Sequence, residues 1–275
     1  MTPRITDTTT AFLERRGGRI AYDVGGAGPL VVLVPGMGDL RSVYRFLAPA
    51  LIDAGYRVAT MDLRGHGDSD ATFDCYNDVA LGADLIALIE HVGGPATIVG
   101  NSMGAGGAAW AAAQAPDLVT GLILVGPFAR EVPVSWAAKL AFRLALLRPW
   151  GRAAWNAYYA RSYPGRAPAD LDEHRARIGA GLKRPGYWRA FVATSRTSHA
   201  PVGARLAEVH APTLVVMGES DPDFRDPAAE ARLVADRLNG EVVMVPDAGH
   251  YPQAEYPEIV TPAIVEFLGA VARHA

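Results

Sequence analysis

The chain has 275 residues, half of them hydrophobic, and a formal net charge of −3. That length and composition suit one large soluble α/β domain, or a core carrying an insertion, and so small a net charge argues against a nucleic-acid partner. A single cysteine, Cys75, excludes an internal disulfide framework and offers nothing for an iron–sulfur or zinc-thiolate centre; it reads as a small apolar residue. The polar, Thr-rich start from Met1 to Ala11 lacks the apolar core of a signal peptide, and no apolar run is long enough to span a bilayer, so a cytoplasmic protein with no membrane partner is expected.

In chain order, Phe12 to Val24, interrupted by Arg16-Gly17-Gly18-Arg19, reads as a hairpin. Leu30 to Val34 is an all-apolar strand of the fully buried kind, followed by Pro35-Gly36-Met37-Gly38-Asp39. An amphipathic helix is expected from about Arg41 to Ala54, then a strand from Arg57 to Met61, a turn-rich loop Asp62 to Ser69 and a helix from about Asn77 to Val92. Ala96 to Val99 is a buried strand, Gly104 to Ala113 a small-residue helix, and Val119 to Val125 another buried strand.

There the alternation breaks. From Glu131 to about Glu208 only helical stretches are expected, over Ser135–Leu147, Arg152–Ala160, Ala169–Leu182 and Tyr187–Ser198, separated by Pro and Gly. This segment holds thirteen Lys and Arg against five Asp and Glu, a net +8 that leaves −11 on the rest, and four of the five tryptophans, which read as packing for small helices. The strand and helix rhythm resumes with Thr213–Met217, Ala228–Leu238, Glu241–Val245 and Glu258–Arg273. The pattern predicts an α/β fold with a mostly parallel central sheet flanked by helices, a core of residues 1–130 and 209–275, and an all-helical cap of residues 131–208.

The chemistry concentrates at Gly100-Asn101-Ser102-Met103-Gly104, a Gly-x-Ser-x-Gly pattern between a strand and a helix. A serine hydroxyl becomes a useful nucleophile when it stands on a sharp turn, beside a base and near backbone N–H groups that can meet an oxyanion. A base and an acid follow late, each just past a strand: His250 after Val245, and Asp221 after Met217, with Glu219 and Asp223 as competing carboxylates. In an open parallel sheet the loops at the carboxyl ends of the strands share one edge, so Ser102, Asp221 and His250 can converge. His66, in the turn-rich loop, reads as a packed loop residue.

In these residues and their order the chain resembles the α/β-hydrolase family with an inserted cap, over nearly its whole length. The resemblance implies a Ser102–His250–Asp221 triad, an oxyanion hole from the N–H groups of Met37 and Met103, and a structural role for the loop Asp62 to Ser69. It departs at Pro35-Gly36, where the family commonly has His-Gly. The implied activity is cleavage of an ester-like bond in a small molecule through an acyl-enzyme, with no metal or organic cofactor required. Two other activities share the machinery: carbon–carbon hydrolysis of anionic ring-fission products, which Gly100–Gly104 and Leu122–Pro127 resemble, and cofactor-free haloperoxidase or perhydrolase chemistry. A non-catalytic alternative is a small-molecule receptor on the same fold.

Overall fold

Runs of β-branched and aliphatic residues make the sheet, because a strand covered on both faces has no use for a polar alternate position. The computed structural model describes residues 10–274; the polar start at residues 1–9, on which the signal-peptide reading rested, lies outside the described residues, as does residue 275. Eight strands are present: β1 (Ala11–Arg15), β2 (Gly18–Gly25), β3 (Leu30–Val34), β4 (Arg57–Met61), β5 (Ala96–Asn101), β6 (Val119–Val125), β7 (Thr213–Gly218) and β8 (Glu241–Val245). Their order across the sheet is β1-β2-β4-β3-β5-β6-β7-β8. Only β1 and β2 run antiparallel to their neighbours; the rest pair in parallel. Every residue of β3, β5 and β7 is buried.

Helices cover both faces: α1 (Leu47–Asp53), α2 (Asp78–Val92), α3 (Met103–Gln114), then α4 (Trp136–Ala145), α5 (Gly151–Arg161), α6 (Leu171–Gly181), α7 (Tyr187–Thr194) and the short α8 (Ala200–Gly203), and finally α9 (Pro227–Leu238), α10 (Pro252–Glu255) and α11 (Pro257–His274). Two separate apolar clusters result, one built on α2, α3 and α9, the other on α1, α11 and parts of α5, α6 and α7. Among the described residues, positions 131–208 contain no strand.

The expected single helix from Arg41 to Ala54 is split into a 3-10 turn over Arg41–Tyr44 and α1. Pro49 explains the break: inside a helix starting at Arg41 its ring would meet the carbonyl of Arg45, whereas in the first turn of α1 it is tolerated. Asp62 takes the Arg41 backbone N–H at 2.7 Å, a first-turn donor with no acceptor in its own turn. Of the four tryptophans between residues 131 and 208, Trp155 and Trp188 are buried as expected, but Trp136 and Trp150 face solvent. Cys75 is exposed rather than packed.

Candidate active site

Ser102 stands between β5 and α3 with φ 56° and ψ −120°, a left-handed backbone that a side chain adopts only when its surroundings force it. The forcing contacts are visible at the two glycines. A Cβ at Gly100 would lie 2.5 Å from the carbonyl carbon of Gly104, and one at Gly104 would lie 2.5 Å from the carbonyl oxygen of Val34. Neither position has room for any side chain, so strand and helix approach closely enough to fold the turn sharply. The serine amide then donates to the Val125 carbonyl at 2.8 Å, and its own carbonyl accepts from the Phe128 amide at 3.2 Å.

His250 and Asp221 meet as expected. Nδ1 of His250 lies 2.7 Å from Oδ2 of Asp221, and both residues are buried. With a carboxylate on that side, Nδ1 carries the hydrogen and Nε2 is left as the basic atom. Asp223 presents a second carboxylate, 3.5 Å from the same nitrogen, while Glu219 is exposed. The competition between neighbouring acids thus resolves as a close partner and a more distant one. Burial alone would lower the imidazole pKa; attraction from Asp221 and Asp223 reverses that and holds it at about 9. Asp223 itself is raised by burial, and the Tyr158 hydroxyl on α5 donates to it.

Asp221, Asp223 and His250 could be imagined around a cation, since their donor atoms lie within 4.8 Å of one another. The 2.7 Å contact is a hydrogen-bond length. An ion between two ligands needs about 2.0–2.2 Å to each and so holds them farther apart. The contact is a hydrogen bond between carboxylate and imidazole.

Packing links this pair to the serine. A Cβ on Gly126 would sit 3.1 Å from His250 Nδ1 and 3.2 Å from Asp221 Oδ2, so the turn after β6 lies flat against both. Asn101, fully buried, donates its side-chain amide to the Val125 carbonyl and to the His250 carbonyl, both at 3.1 Å. The serine turn is thus bonded to Val125, and the imidazole packs on the adjacent Gly126, at the carboxyl edge of the sheet.

On the other side of Ser102 runs the loop Pro35–Asp39. A Cβ at Gly36 would come 2.7 Å from the Ser102 Cβ, so only glycine lets the loop pass the serine. Met103 is the first residue of α3, and a first-turn N–H has no acceptor in its own helix. In the facing loop the Gly38 amide is taken by Nε2 of His66 at 2.9 Å, and the Asp39 amide by the Gly36 carbonyl at 3.4 Å. Among the described residues, the Met37 amide has no such partner. Neither N–H group named from the sequence thus has a backbone acceptor among the described residues.

The profile of the alpha/beta hydrolase family matches residues 31–263. The chain belongs to the alpha/beta hydrolase family. Its relatives include 2-(acetamidomethylene)succinate hydrolase of Mesorhizobium japonicum, 32% identical over 278 residues, which cover 94% of this chain and 96% of that one. Among solved structures, a hydrolase from Pseudomonas aeruginosa superposes with a TM-score of 0.80 at 28% identity, covering 95% of this chain and 98% of the other. A thermophilic esterase from Thermogutta terrifontis gives a TM-score of 0.77 at 29% identity, over 98% and 99% of the two chains.

Two small gaps lie near the serine turn, and Ser102 lines neither. A gap of about 10 Å³ lies beside Met103, and another of about 10 Å³ lies beside Gly38 and His66. The indole of Trp155 closes over Gly38, where a Cβ would be 2.2 Å from the ring. A cleft of about 570 Å³ lies apart from the triad, between α1, the loop after β4 and α6; it touches none of Ser102, Asp221, His250, Met37 and Met103. It does share Leu40, Gly67 and Gly181 with the gap beside Gly38.

Several neighbours of the candidate site escaped the sequence reading. His66, expected only to pack, is the acceptor for Gly38. Asp39, fully buried directly after the loop, accepts from Tyr159 at 2.9 Å and lies 2.7 Å from Nε2 of His174, which ties α5 and α6 to the loop. Asn101 could have been suspected from its place beside the serine; the partners of Asp39 lie more than a hundred residues away and carry no local signal.

Proposed function

We propose that the chain is a serine hydrolase that cleaves an ester-like bond of a small molecule, with residues 131–208 acting as a cap over the core. Ser102 Oγ attacks the carbonyl carbon and passes its proton to Nε2 of His250 as the carbonyl oxygen becomes an oxyanion facing the Met37 and Met103 amides. Collapse expels the alcohol, which takes the proton from His250 and leaves an acyl group on Ser102. Water, deprotonated by His250, then attacks the acyl carbon, and the proton returns to Ser102 Oγ as the acid departs. Asp221 holds the ring and stabilises its protonated form.

The observation that carries this reading is the 2.7 Å contact of His250 with Asp221, packed on Gly126 next to the Val125 carbonyl that holds a serine in strained backbone. The relative named for a succinate derivative and the net +8 of residues 131–208 both favour substrates that carry a carboxylate.

Turnover of p-nitrophenyl esters of graded chain length, with a carboxylated ester and a dienoate ring-fission product alongside, tests the proposal. At least one of the esters should be hydrolysed, and Ser102→Ala should lower its rate by about a thousandfold or more. Turnover confined to the ring-fission product would replace ester cleavage by carbon–carbon hydrolysis, and no turnover of any of them would point to a receptor.

A further inference from the structure

Helix α4 is attached to the molecule by a narrow strip. None of its residues is buried; Phe142 and Ala145 are half-buried, and Leu146 just beyond its end is buried. Trp136, Leu140 and Leu144 recur every four residues, so they lie in one row along the helix, and that row faces solvent. Leu147 and Trp150 extend it past the end of the helix. Trp136 is 78% exposed and Trp150 54% exposed. The Trp150 indole N–H donates to the Leu144 carbonyl at 3.0 Å, which satisfies its one polar atom internally and leaves an apolar ring pointing outward. Rows of this size are uncommon on a soluble surface without a partner.

The charge beside this row is one-sided. Residues 132–152 contain Lys139, Arg143, Arg148 and Arg152 and no acidic residue. Lys139 pairs loosely with Glu131 at 3.4 Å. Arg143, Arg148 and Arg152 are exposed and make no ion pair among the described residues. The contacts between residues 131–208 and the core do not consume this excess: Arg166 pairs with Glu258, but at Arg45 and Asp170 the cation belongs to the core. A second copy of the chain is a poor occupant, because a two-fold interface would bring the same unpaired arginines against each other.

We propose that the face formed by Trp136, Leu140, Leu144, Leu147 and Trp150 docks on an anionic lipid surface. The rings and leucines would enter the headgroup boundary and the arginines would meet lipid phosphates, the division of labour of an interfacial amphipathic helix. No helix among the described residues is long and apolar enough to cross a membrane, so the contact is peripheral. It is independent of the serine chemistry proposed above.

Sedimentation with vesicles of phosphatidylglycerol and phosphatidylcholine in equal parts, against vesicles of phosphatidylcholine alone, tests this with the full chain. The protein should pellet with the anionic vesicles, less so as salt rises, and Trp fluorescence should shift to the blue on binding. Arg143→Gln and Arg148→Gln should each weaken binding about fivefold, and Trp136→Ser with Leu140→Ser should abolish it. Both changes lie on exposed positions, so the melting temperature and turnover of a soluble ester should stay at the unaltered level. Failure to pellet with anionic vesicles, equal binding to neutral ones, or undiminished binding of the Trp136→Ser, Leu140→Ser variant would overturn the proposal. So would a lipid-free dimer dispersed by Leu140→Ser, which would give the face to a second copy.

Discussion

The amide of Gly38 donates to Nε2 of His66 at 2.9 Å, while Nδ1 of the same ring donates to the Arg64 carbonyl at 2.9 Å. Both ring nitrogens are thus used by a neutral imidazole, and burial lowers its pKa further from protonation. The loop that borders Ser102 is anchored by this histidine. His66→Phe would strand a buried N–H, which costs about 1–3 kcal/mol. Urea unfolding should show that loss, and ester hydrolysis should fall mainly in kcat, since the loop would be misplaced around an otherwise intact triad. Unchanged stability and kcat would show that the loop holds itself.

Asp221 and Asp223 should separate under mutation. Asp221 makes the 2.7 Å contact, so Asp221→Asn should cost about a thousandfold or more in kcat. Asp223 stands at 3.5 Å and raises the imidazole pKa without orienting the ring. With His250 held at about 9, kcat/KM for a neutral ester should climb with pH through neutrality toward that value, because only the unprotonated ring can accept the serine proton. Asp223→Asn should move this rise to lower pH and leave most of the plateau rate. Equal losses in the two variants would contradict the assignment.

The contacts of Asp39 with His174 and Tyr159 join the loop after β3 to α5 and α6 inside a fully buried pocket. Asp39→Ala leaves an imidazole and a hydroxyl without their acceptor, and a destabilisation of about 3 kcal/mol or more is expected by denaturant titration. A double-mutant cycle with His174→Gln should return a coupling above about 1 kcal/mol. Additive losses would mean that the two side chains do not act as a unit.

Glu255 reaches back to the backbone just before His250, accepting the Gly249 amide at 2.7 Å and the Gly165 amide at 3.2 Å. Burial disfavours its charged form and pushes it up to about 7 despite those hydrogen bonds. An unfolded chain gives up this proton near 4.5, so between about 4.5 and 7 the folded state holds more protons, and stability falls as pH rises through that window. Glu255→Gln keeps an oxygen for Gly249 and cannot ionise. Relative to the unaltered protein it should gain about 1–3 kcal/mol between pH 4 and pH 8. A stability difference that stays constant between those two pH values would refute this.

Much of the sheet could be read directly: β3, β4, β6 and β8 span the residues expected of them, and β3 is an apolar run from end to end. A strand buried on both faces has to be apolar throughout, and the glycines and prolines after it mark its end. The turn at Gly100–Gly104 was legible because its glycine spacing between a strand and a helix is local, Gly100 lying against the backbone of Gly104; the contact of Gly104 with Val34 is a distant one. What stayed hidden depends on distant pairing. Nothing near His66 or Asp39 in sequence announces Gly38 or His174 as a partner, and Trp136 and Trp155 look alike until one is seen exposed and the other closed over the loop.

The most direct test of an activated serine is intact-protein mass spectrometry after treatment with a fluorophosphonate, followed by peptide mapping. One adduct is expected, on Ser102; Ser102→Ala should abolish it, and His250→Ala should slow it by about a thousandfold. A protein that takes up no label, or takes it on another residue at the same rate with and without His250, would contradict the account.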